Sequence, residues 1–341
     1  MPRGLVAVAP GQLAWETYED APLQPGQVRV QSEFGAAKHG TEMAFVKGYA
    51  SARGRWNPEW ELFEPSNEPS GFPFHVGNMY VGKVTAVAPD VTAHRVGDRV
   101  YAWGSFRETH TVGEKECFRL PHGLPWQAAV CNDPAHFALG AIRDGQVRPG
   151  DAVAIFGMGA IGLVTVQLAC RAGALAVIAV DPLPARRTLA EKLGATAALD
   201  PRTCDVGREI KAATGRRGAD VVIDFSGHRT ALQQALRGVA YGGNVVCGAF
   251  PAPYDAGLDF GGEAHLNCPN LIFSRACSLH DRDHPRWTWQ RIQDTCRQIV
   301  ERGWIRAEEI VTPVVSFDEL LEAYPRIVGD PAAGVKLGVR H

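Results

Sequence analysis

The chain has 341 residues, of which 45% are hydrophobic and 21% are charged, and its formal net charge is -2 at pH 7. A chain of this length can bury two hydrophobic cores, and the composition is that of an ordinary globular protein. The near-neutral charge argues against nucleic acid or an anionic membrane as the main partner, and no apolar run reaches the roughly 18 residues that a membrane span needs.

The N-terminus and the cysteines bear on the compartment. The first ten residues, MPRGLVAVAP, lack the charged segment and long apolar run of a signal peptide, and they predict a first strand. No two of the eight cysteines are closer than nine residues, which excludes CxxC pairs and argues against a zinc ribbon or a disulfide scaffold. We therefore expect a cytoplasmic protein with reduced thiols.

The first 120 residues predict a β-rich region, because short apolar runs alternate with Gly and Pro. Examples are residues 28–31, 81–87 and 99–103.

From about residue 125 to 275 the pattern changes to strand-like runs that alternate with helical stretches. The strand-like runs are 152–156, 175–180, 220–225 and 243–248, and the helical stretches are 161–172, 185–193, 206–214 and 230–239. This alternation is typical of βαβ units in a parallel sheet, so we expect an α/β protein. After about residue 280 the chain returns to mixed helix and short strand.

A glycine-rich segment at the end of the first of these strands predicts a dinucleotide site. It reads Gly157-Met158-Gly159-Ala160-Ile161-Gly162, and Asp181 stands nineteen residues further, at the end of the next strand. The three glycines permit a tight turn, close approach of the pyrophosphate and helix–strand packing, while the helix N-terminus attracts the phosphates.

The cofactor preference rests on Asp181. Its carboxylate can accept hydrogen bonds from the ribose hydroxyls and would repel a 2′-phosphate, so NAD is favoured over NADP. Arg186 could contact the ribose or the phosphate edge, which leaves the alternative open.

These motifs, together with residues 96–100, 219–224 and 242–246, resemble the medium-chain dehydrogenase/reductase superfamily, the zinc alcohol and polyol dehydrogenases. The resemblance covers nearly the whole chain. It implies a GroES-like β-rich catalytic domain (1-124, with 280-341 returning to it) and a Rossmann domain with a doubly wound parallel sheet (125-279). It also implies an active site in the cleft between the domains, and a homodimer or homotetramer. The nicotinamide would bind near Ser226, Gly227, Cys247, Gly248 and Ala249.

The sequence departs from the zinc-dependent members at the positions of the metal ligands. The family's Cys-x-Ser/Thr-Asp is His39-Gly40-Thr41-Glu42 here, its Gly-His-Glu is Gly77-Asn78-Met79, and the third ligand position falls near Asn132. Catalytic zinc needs three N, S or O ligands, and Asn and Met are poor ones, so we expect no metal. His39 with Cys131 or Asp133 could still form a partial set. The four-cysteine structural zinc lobe is absent.

Without a metal, a side chain must take the hydroxyl proton as the hydride leaves. We favour His39 as the base, because the pKa of imidazole lies near 6.5, with Thr41 as a relay and Glu42 orienting the ring. Lys38 could act as the base if burial or a neighbouring cation lowered its pKa. A histidine on a loop or surface with no catalytic role is the alternative for His39.

An insertion between Gly48 and Gly77 indicates the substrate class. It holds Trp56 and Trp60, with Glu59, Glu61 and Glu64 between and after them. Aromatic faces with carboxylates suit a polyhydroxylated or amino-bearing ligand, although an oligomer contact or a self-packed lid fits as well. The candidate substrate contacts are Trp56, Trp60, Asn78, Asp133 and His136, and His136 could equally be a buried packing residue.

The sequence thus predicts NAD-dependent oxidation of a secondary alcohol on a sugar, aminosugar or cyclitol, or the reverse reaction. The preference for a secondary alcohol comes from the resemblance to the polyol dehydrogenases. Two alternatives stay open: a zinc-free quinone or enone reductase of the same superfamily, and a non-catalytic NAD-binding protein.

Overall fold

The computed structural model describes residues 1–48, 50, 53–66, 71–275 and 282–341, with only the backbone of His39. They divide into a β-rich unit, Met1–Val130 with Val311–His341, and a second unit, Cys131–Ile310. The predicted boundaries, 124/125 and 279/280, differ from this division. Residues 282–310 belong to the second unit because they pack within it: Trp289 lies edge-on to His136, and Asp283 pairs with Arg143.

The first 130 residues are mostly antiparallel strands. β3 (Gln27–Ala36) pairs with β7 (Met79–Val87) and with β9 (Thr109–Gly113), and β7 pairs with β8 (Arg99–Trp103). In β3, Val28 and Val30 are buried while Gln31 is exposed, the alternation of a strand with one face on a core. The predicted first strand lies in β1 (Arg3–Ala9), and the three predicted runs lie in β3, β7 and β8. The elements are β1 (Arg3–Ala9), β2 (Gln12–Thr17), β3 (Gln27–Ala36), α1 (His39–Val46), β4 (Arg55–Asn57), β5 (Leu62–Glu64), β6 (Phe74–His75), β7 (Met79–Val87), β8 (Arg99–Trp103), β9 (Thr109–Gly113), β10 (Phe118–Arg119) and α2 (Trp126–Val130).

The second unit alternates strands and helices, as predicted. Its elements are α3 (Asn132–Asp144), β11 (Ala152–Phe156), α4 (Ala160–Arg171), β12 (Ala176–Val180), α5 (Pro184–Lys192), β13 (Ala197–Leu199), α6 (Val206–Ala213), β14 (Ala219–Asp224), α7 (Arg229–Gly238), β15 (Val239–Cys247), α8 (Glu263–Asn267), β16 (Asn270–Phe273) and α9 (Trp289–Glu301). The predicted ends agree to within one residue except at β15, which begins earlier because Val239 already pairs with Ala219 ahead of a register irregularity.

The sheet of this unit is parallel throughout, with the order β13-β12-β11-β14-β15-β16. This is the doubly wound Rossmann arrangement. Its register sets Phe156 opposite both Val180 and Asp224, and Asp224 opposite Cys247. The carboxyl ends of these strands therefore meet at one edge of the sheet, where ligands of open α/β sheets bind.

The C-terminal segment completes the β-rich unit. It contains β17 (Val314–Ser316), α10 (Leu320–Gly329), a 3₁₀ turn at Pro331–Ala333 and β18 (Gly338–Arg340). β18 pairs with β3 and β17, and α10 buries Leu320, Tyr324 and Ile327 in a core with Leu5 and Phe106. The two ends of the chain thus share one sheet and one core. Within the described ranges, no helix is both long and apolar enough to cross a membrane.

Candidate active site

The glycine-rich segment forms a tight turn between β11 and α4. Gly157 has a φ of +87°, which favours glycine, and a Cβ there would lie 2.8 Å from the backbone nitrogen of Ser226. A Cβ at Gly162 would lie only 1.9 Å from the carbonyl oxygen of Gly157. Both positions therefore require glycine for the turn and the helix to pack.

Gly159 differs from its two neighbours in the motif. It is the N-cap of α4, and a Cβ placed there would meet nothing within 4 Å. No side chain caps the helix, so the N–H groups of the first turn, which includes Ala160 and Ile161, have no capping partner. An uncapped helix N-terminus beside open space fits the pyrophosphate of a dinucleotide.

Asp181 is fixed between two loops at the end of β12. It is 3% exposed, its Oδ2 accepts a 2.8 Å hydrogen bond from the N–H of Met158, and its Oδ1 accepts one of 2.8 Å from the N–H of Leu183. Arg186 Nη1 lies 4.0 Å from Oδ2. A carboxylate offers about four lone pairs, so these bonds leave capacity for ribose hydroxyls.

Two further arginines near Asp181 are engaged by a neighbouring acid. Arg187 Nη1 lies 3.1 Å and Arg202 Nη2 lies 2.9 Å from Asp200 Oδ2, and Arg187 also donates to the backbone oxygen of Asp181. Hydrogen bonds from Arg202 hold the pKa of Asp200 below its usual range, so this carboxylate stays ionised. The charge of these two arginines is therefore partly balanced within the protein.

The residues expected at the nicotinamide end lie together after β14 and β15. Asp224 Oδ1 accepts hydrogen bonds from the Ser226 N–H at 2.8 Å and the Ser226 hydroxyl at 2.6 Å, and burial raises the pKa of Asp224. Gly248 donates to the Asp224 carbonyl at 3.0 Å, and a Cβ there would strike the ring of Phe225 at 2.4 Å. The turn after β14 and the end of β15 are thus held in register.

Cys247, Ala249 and Gly227 complete this edge. Burial, with Asp224 nearby, raises the pKa of the Cys247 thiol to about 12, so it is a protonated wall residue rather than a nucleophile. Ala249 Cβ lies 3.4 Å from the position that a Cβ on Gly227 would occupy. The structure therefore brings together at one edge the residues for which the resemblance implied a contact with the nicotinamide.

In the β-rich unit, the start of α1 is held by a buried carboxylate. Glu42 Oε1 accepts a 2.7 Å hydrogen bond from the Lys38 N–H, and Oε2 accepts one of 2.5 Å from the hydroxyl of Tyr324 on α10. Burial raises the pKa of Glu42, and these hydrogen bonds partly oppose that rise. The described partners of Glu42 fix the N-terminal turn of α1, which carries His39 and Thr41. The predicted role of Glu42 in orienting the His39 ring stays a prediction, because that ring lies outside the described part of the structure.

Tyr324 and Lys336 were not predicted from the sequence. Lys336 is buried, and its ammonium donates a 2.5 Å hydrogen bond to the carbonyl of Ala37, directly before α1. Its charge also opposes the rise in the Glu42 pKa. A single lysine within the apolar run 334–339 was the available signal. No sequence signal marked Tyr324, because an apolar helix face that carries a tyrosine is typical of an ordinary hydrophobic core.

The side chain of His39 lies outside the described part of the structure, so its role as base stays a prediction. The side chain of Thr41 is partly exposed on the first turn of the same helix.

The residues at the second zinc-ligand motif do not suit a metal. The Asn78 N–H donates a hydrogen bond to the Ala36 carbonyl, and the Asn78 carbonyl accepts one from the Gly104 N–H. The side-chain Nδ2 of Asn78 is buried with no hydrogen-bond partner among the described residues. Met79 is buried in the core. In the described ranges no group of three or more His, Cys, Asp or Glu side chains could hold a metal ion. A carboxamide and a thioether are weak zinc ligands, so this donor set does not fit a catalytic zinc.

The first two turns of α3 carry the other candidate contacts. Asp133 and His136 are buried. The His136 ring lies edge-on to the Trp289 ring, with 5.2 Å between the ring centroids. Asp133 also faces the second unit: burial, and then the negative charge of Asp133, raise the pKa of the Cys296 thiol on α9. His136 therefore packs within the second unit, and its role as a substrate contact stays a prediction.

The two candidate tryptophans lie on a small exposed hairpin formed by β4 and β5. The Trp56 ring packs edge-on to the Phe63 ring, with 5.2 Å between the ring centroids. Trp60 lies in the turn and is 69% exposed. Asn57 Oδ1 accepts hydrogen bonds from the N–H groups of Glu59 and Trp60, which fixes the turn. The hairpin thus presents aromatic faces outward.

Comparisons with known proteins identify the family. The chain is 42% identical to D-guloside 3-dehydrogenase of Escherichia coli strain K12 over 345 aligned residues, which cover 98% of this chain and 99% of the relative. The chain belongs to the medium-chain dehydrogenase/reductase superfamily. Residues 160–277 of this medium-chain dehydrogenase also match the family model described as zinc-binding dehydrogenase.

Solved structures show that the medium-chain dehydrogenase fold extends over the whole chain. The 2R,3R-butanediol dehydrogenase of Bacillus subtilis matches with a TM-score of 0.79 at 23% identity, covering 100% of both chains. A protein of Sinorhizobium meliloti 1021, crystallised with NADP, matches with a TM-score of 0.79 at 22% identity and covers 100% of this chain and 99% of its own. The predicted superfamily, fold class and enzyme class are confirmed: this medium-chain dehydrogenase is an oxidoreductase that acts on alcohols with a nicotinamide cofactor.

Proposed function

We propose that this enzyme oxidises a secondary hydroxyl of a sugar or glycoside to a ketone, or catalyses the reverse, with NAD and without zinc. The observation that carries the proposal is the 42% identity, over nearly the full length of both chains, to an enzyme named for a D-guloside. An aminosugar or a cyclitol has the same ring hydroxyls and belongs to the same substrate class. This similarity favours the dehydrogenase over an enone reductase or a non-catalytic NAD-binding protein.

The chain's own residues would bind and orient the cofactor and move the proton. The edge after β11, β12, β14 and β15 would hold NAD, which when bound would supply the acceptor for the hydride that leaves the alcohol carbon. The His39 imidazole takes the hydroxyl proton, and the Thr41 hydroxyl relays it. Lys38 is the alternative base. Glu42 holds the N-terminal turn of α1 through the Lys38 N–H and the Tyr324 hydroxyl, which keeps these groups in place.

Substrate contacts are proposed for the polar and aromatic groups that the fold leaves available. The buried Nδ2 of Asn78 has no partner among the described residues and can donate to a sugar oxygen. Trp56 and Trp60 offer faces for the C–H side of a pyranose. The packing of His136 against Trp289 makes it a weaker candidate than Asn78, and Asp133 beside it is buried as well.

Turnover and metal content test this function together. We expect the purified, untagged protein to reduce NAD with methyl D-guloside, and mass spectrometry to find much less than one zinc per chain. Activity that disappears on prolonged chelation and returns with added zinc would contradict the metal-free proposal. No turnover with a panel of methyl glycosides, aminosugars and cyclitols in either direction would contradict the substrate class.

Asp181→Gly tests the preference for NAD. The substitution removes the carboxylate that would accept the ribose hydroxyls and repel a 2′-phosphate, so we expect NAD affinity to fall at least tenfold and the gap to NADP to narrow. Fluorescence titrations with NADH and NADPH measure both. Asp200→Asn is the matched control, since Asp200 balances Arg187 and Arg202. An unchanged NADH/NADPH ratio in Asp181→Gly would contradict the role.

The exposed edge of the Rossmann sheet supports the expected homo-oligomer. Among the described strands β16 ends the sheet order, and its Phe273 is 72% exposed; Leu271 on the same strand and Leu266 on α8 are exposed too. An open apolar edge strand favours pairing with a second copy. We expect light scattering to give a dimer or tetramer for the native protein and a smaller species for Phe273→Asp. Leu175→Asp, at another exposed leucine, should leave the mass unchanged; a monomeric native protein would contradict this assembly.

A further inference from the structure

Asn132 is a buried polar residue that the packing of its own unit does not explain. It is the first residue of α3 and is 1% exposed. Neither its Oδ1 nor its Nδ2 has a hydrogen-bond partner among the described residues. Burying a carboxamide with both ends unpaired is costly, and more than nine in ten buried polar groups in proteins are paired. Such a group is therefore expected to have a function.

The surroundings of Asn132 narrow the ligand. α3 is thirteen residues long, and its N-cap, Cys131, makes no side-chain capping bond. Pro134, in the first turn, has no N–H to offer. The positive end of the helix therefore lies beside a carboxamide that can donate through Nδ2 and accept through Oδ1.

The hydrogen-bonding chemistry of a carboxamide fits hydroxyl groups. An anion would satisfy only Nδ2 and an ammonium group only Oδ1, whereas hydroxyls both donate and accept. Two neighbouring hydroxyls of a sugar ring would satisfy both ends of the amide.

We propose that the Asn132 carboxamide binds hydroxyl groups of the sugar substrate and makes the enzyme specific for a polyol over a simple alcohol. This assignment rests on the proposed function, which supplies the polyhydroxylated substrate. It assigns substrate specificity to a residue that the sequence analysis discussed only as the position of a missing zinc ligand.

Asn132→Leu separates a ligand-binding role from a structural one. Leucine has a similar volume and no polar atoms, so it removes an unpaired buried amide and should leave the melting temperature of the free protein unchanged or raise it. We expect KM for methyl D-guloside to rise about 10- to 100-fold, with the NADH dissociation constant unchanged. Asn244→Leu is the matched control: its amide donates to the Gly145 carbonyl at 2.8 Å and accepts from Asn270 at 3.0 Å, so this variant should melt earlier.

Deoxygenated substrates identify the hydroxyls involved. With the native enzyme, monodeoxy methyl gulosides lacking a hydroxyl bound by Asn132 should show a raised KM, and in Asn132→Leu that particular penalty should disappear while the others persist. An unchanged KM in Asn132→Leu, or a penalty pattern identical to that of the native enzyme, would overturn the proposal. So would a lowered melting temperature with native kinetics. A native enzyme that turns over no sugar would instead contradict the proposed function itself.

Discussion

Replacing Gly162 with alanine should abolish NADH binding and lower the melting temperature by about 10 °C. The new Cβ would lie 1.9 Å from the Gly157 carbonyl oxygen and 3.0 Å from its carbonyl carbon, and both are backbone atoms that cannot rotate away. The turn or the start of α4 must shift, at a cost of about 3 kcal/mol, which corresponds to about 10 °C in a domain of this size. Because the same turn forms the proposed pyrophosphate site, binding should be lost as well. Fluorescence titration with NADH and thermal melting measure the two effects.

Gly159→Ala is the matched control within the same motif. A Cβ at this position meets nothing within 4 Å, so the fold should tolerate it and the melting temperature should stay close to the native value. The methyl group would project where the pyrophosphate approaches, so NADH affinity should still fall about tenfold or more. Native affinity in Gly159→Ala would contradict the placement of the phosphates at this helix.

His39→Ala should lower kcat about 10²- to 10⁴-fold while leaving the NADH dissociation constant unchanged. The expected loss is that of a general base, since no other group at the start of α1 has a pKa near neutrality in its ordinary state. The acidic limb of the kcat/KM profile for alcohol oxidation, where an imidazole with a pKa near 6.5 becomes protonated, should disappear in the variant. Stopped-time assays across pH 5 to 9 measure both quantities. Turnover close to native would contradict His39 as the base and would point to Lys38.

Tyr324→Phe distinguishes loss of the base from loss of its support. The substitution removes the hydrogen bond to Glu42 Oε2, and because that bond favours the ionised carboxylate, the pKa of Glu42 should rise further. The turn that carries His39 would be held less firmly, so we expect a smaller fall in kcat, about tenfold, with the acidic limb retained. A loss equal to that of His39→Ala would mean that Tyr324 takes part in the proton transfer directly.

The proposed cofactor site could be predicted from the sequence because its motifs are short and local. Residues 157–162 lie in one turn, and Asp181 follows at the end of the next strand. Periodicity predicts the strands before Ser226 and Cys247, the resemblance implied that these two residues lie at one edge, and the structure pairs Asp224 with Cys247 there. The unusual residues at the zinc-ligand motifs were equally visible in the sequence, since they depend on residue identity alone.

The long-range hydrogen bonds that hold the proposed catalytic turn at the start of α1 could not be predicted from local patterns. Glu42 and Tyr324 are 282 residues apart, and Lys336 and Ala37 are 299 residues apart. These contacts exist because the C-terminal strand β18 returns to pair with β3, which places α10 against α1. The predicted boundary at 279/280 differs from the division at Ile310 because α9 packs on α3, and no residue pattern in either helix identifies the other as its partner.

The sequence by itself therefore determined the family, the parallel sheet and the dinucleotide turn, since each is written in short-range spacing that fixes local backbone geometry. Only the tertiary structure decided which buried groups support α1, where the second unit ends, and that the carboxamide of Asn132 is enclosed without a partner among the described residues. Burial and hydrogen-bond pairing of this kind depend on which distant segments meet in the folded chain, and residue type alone does not predict which segments meet.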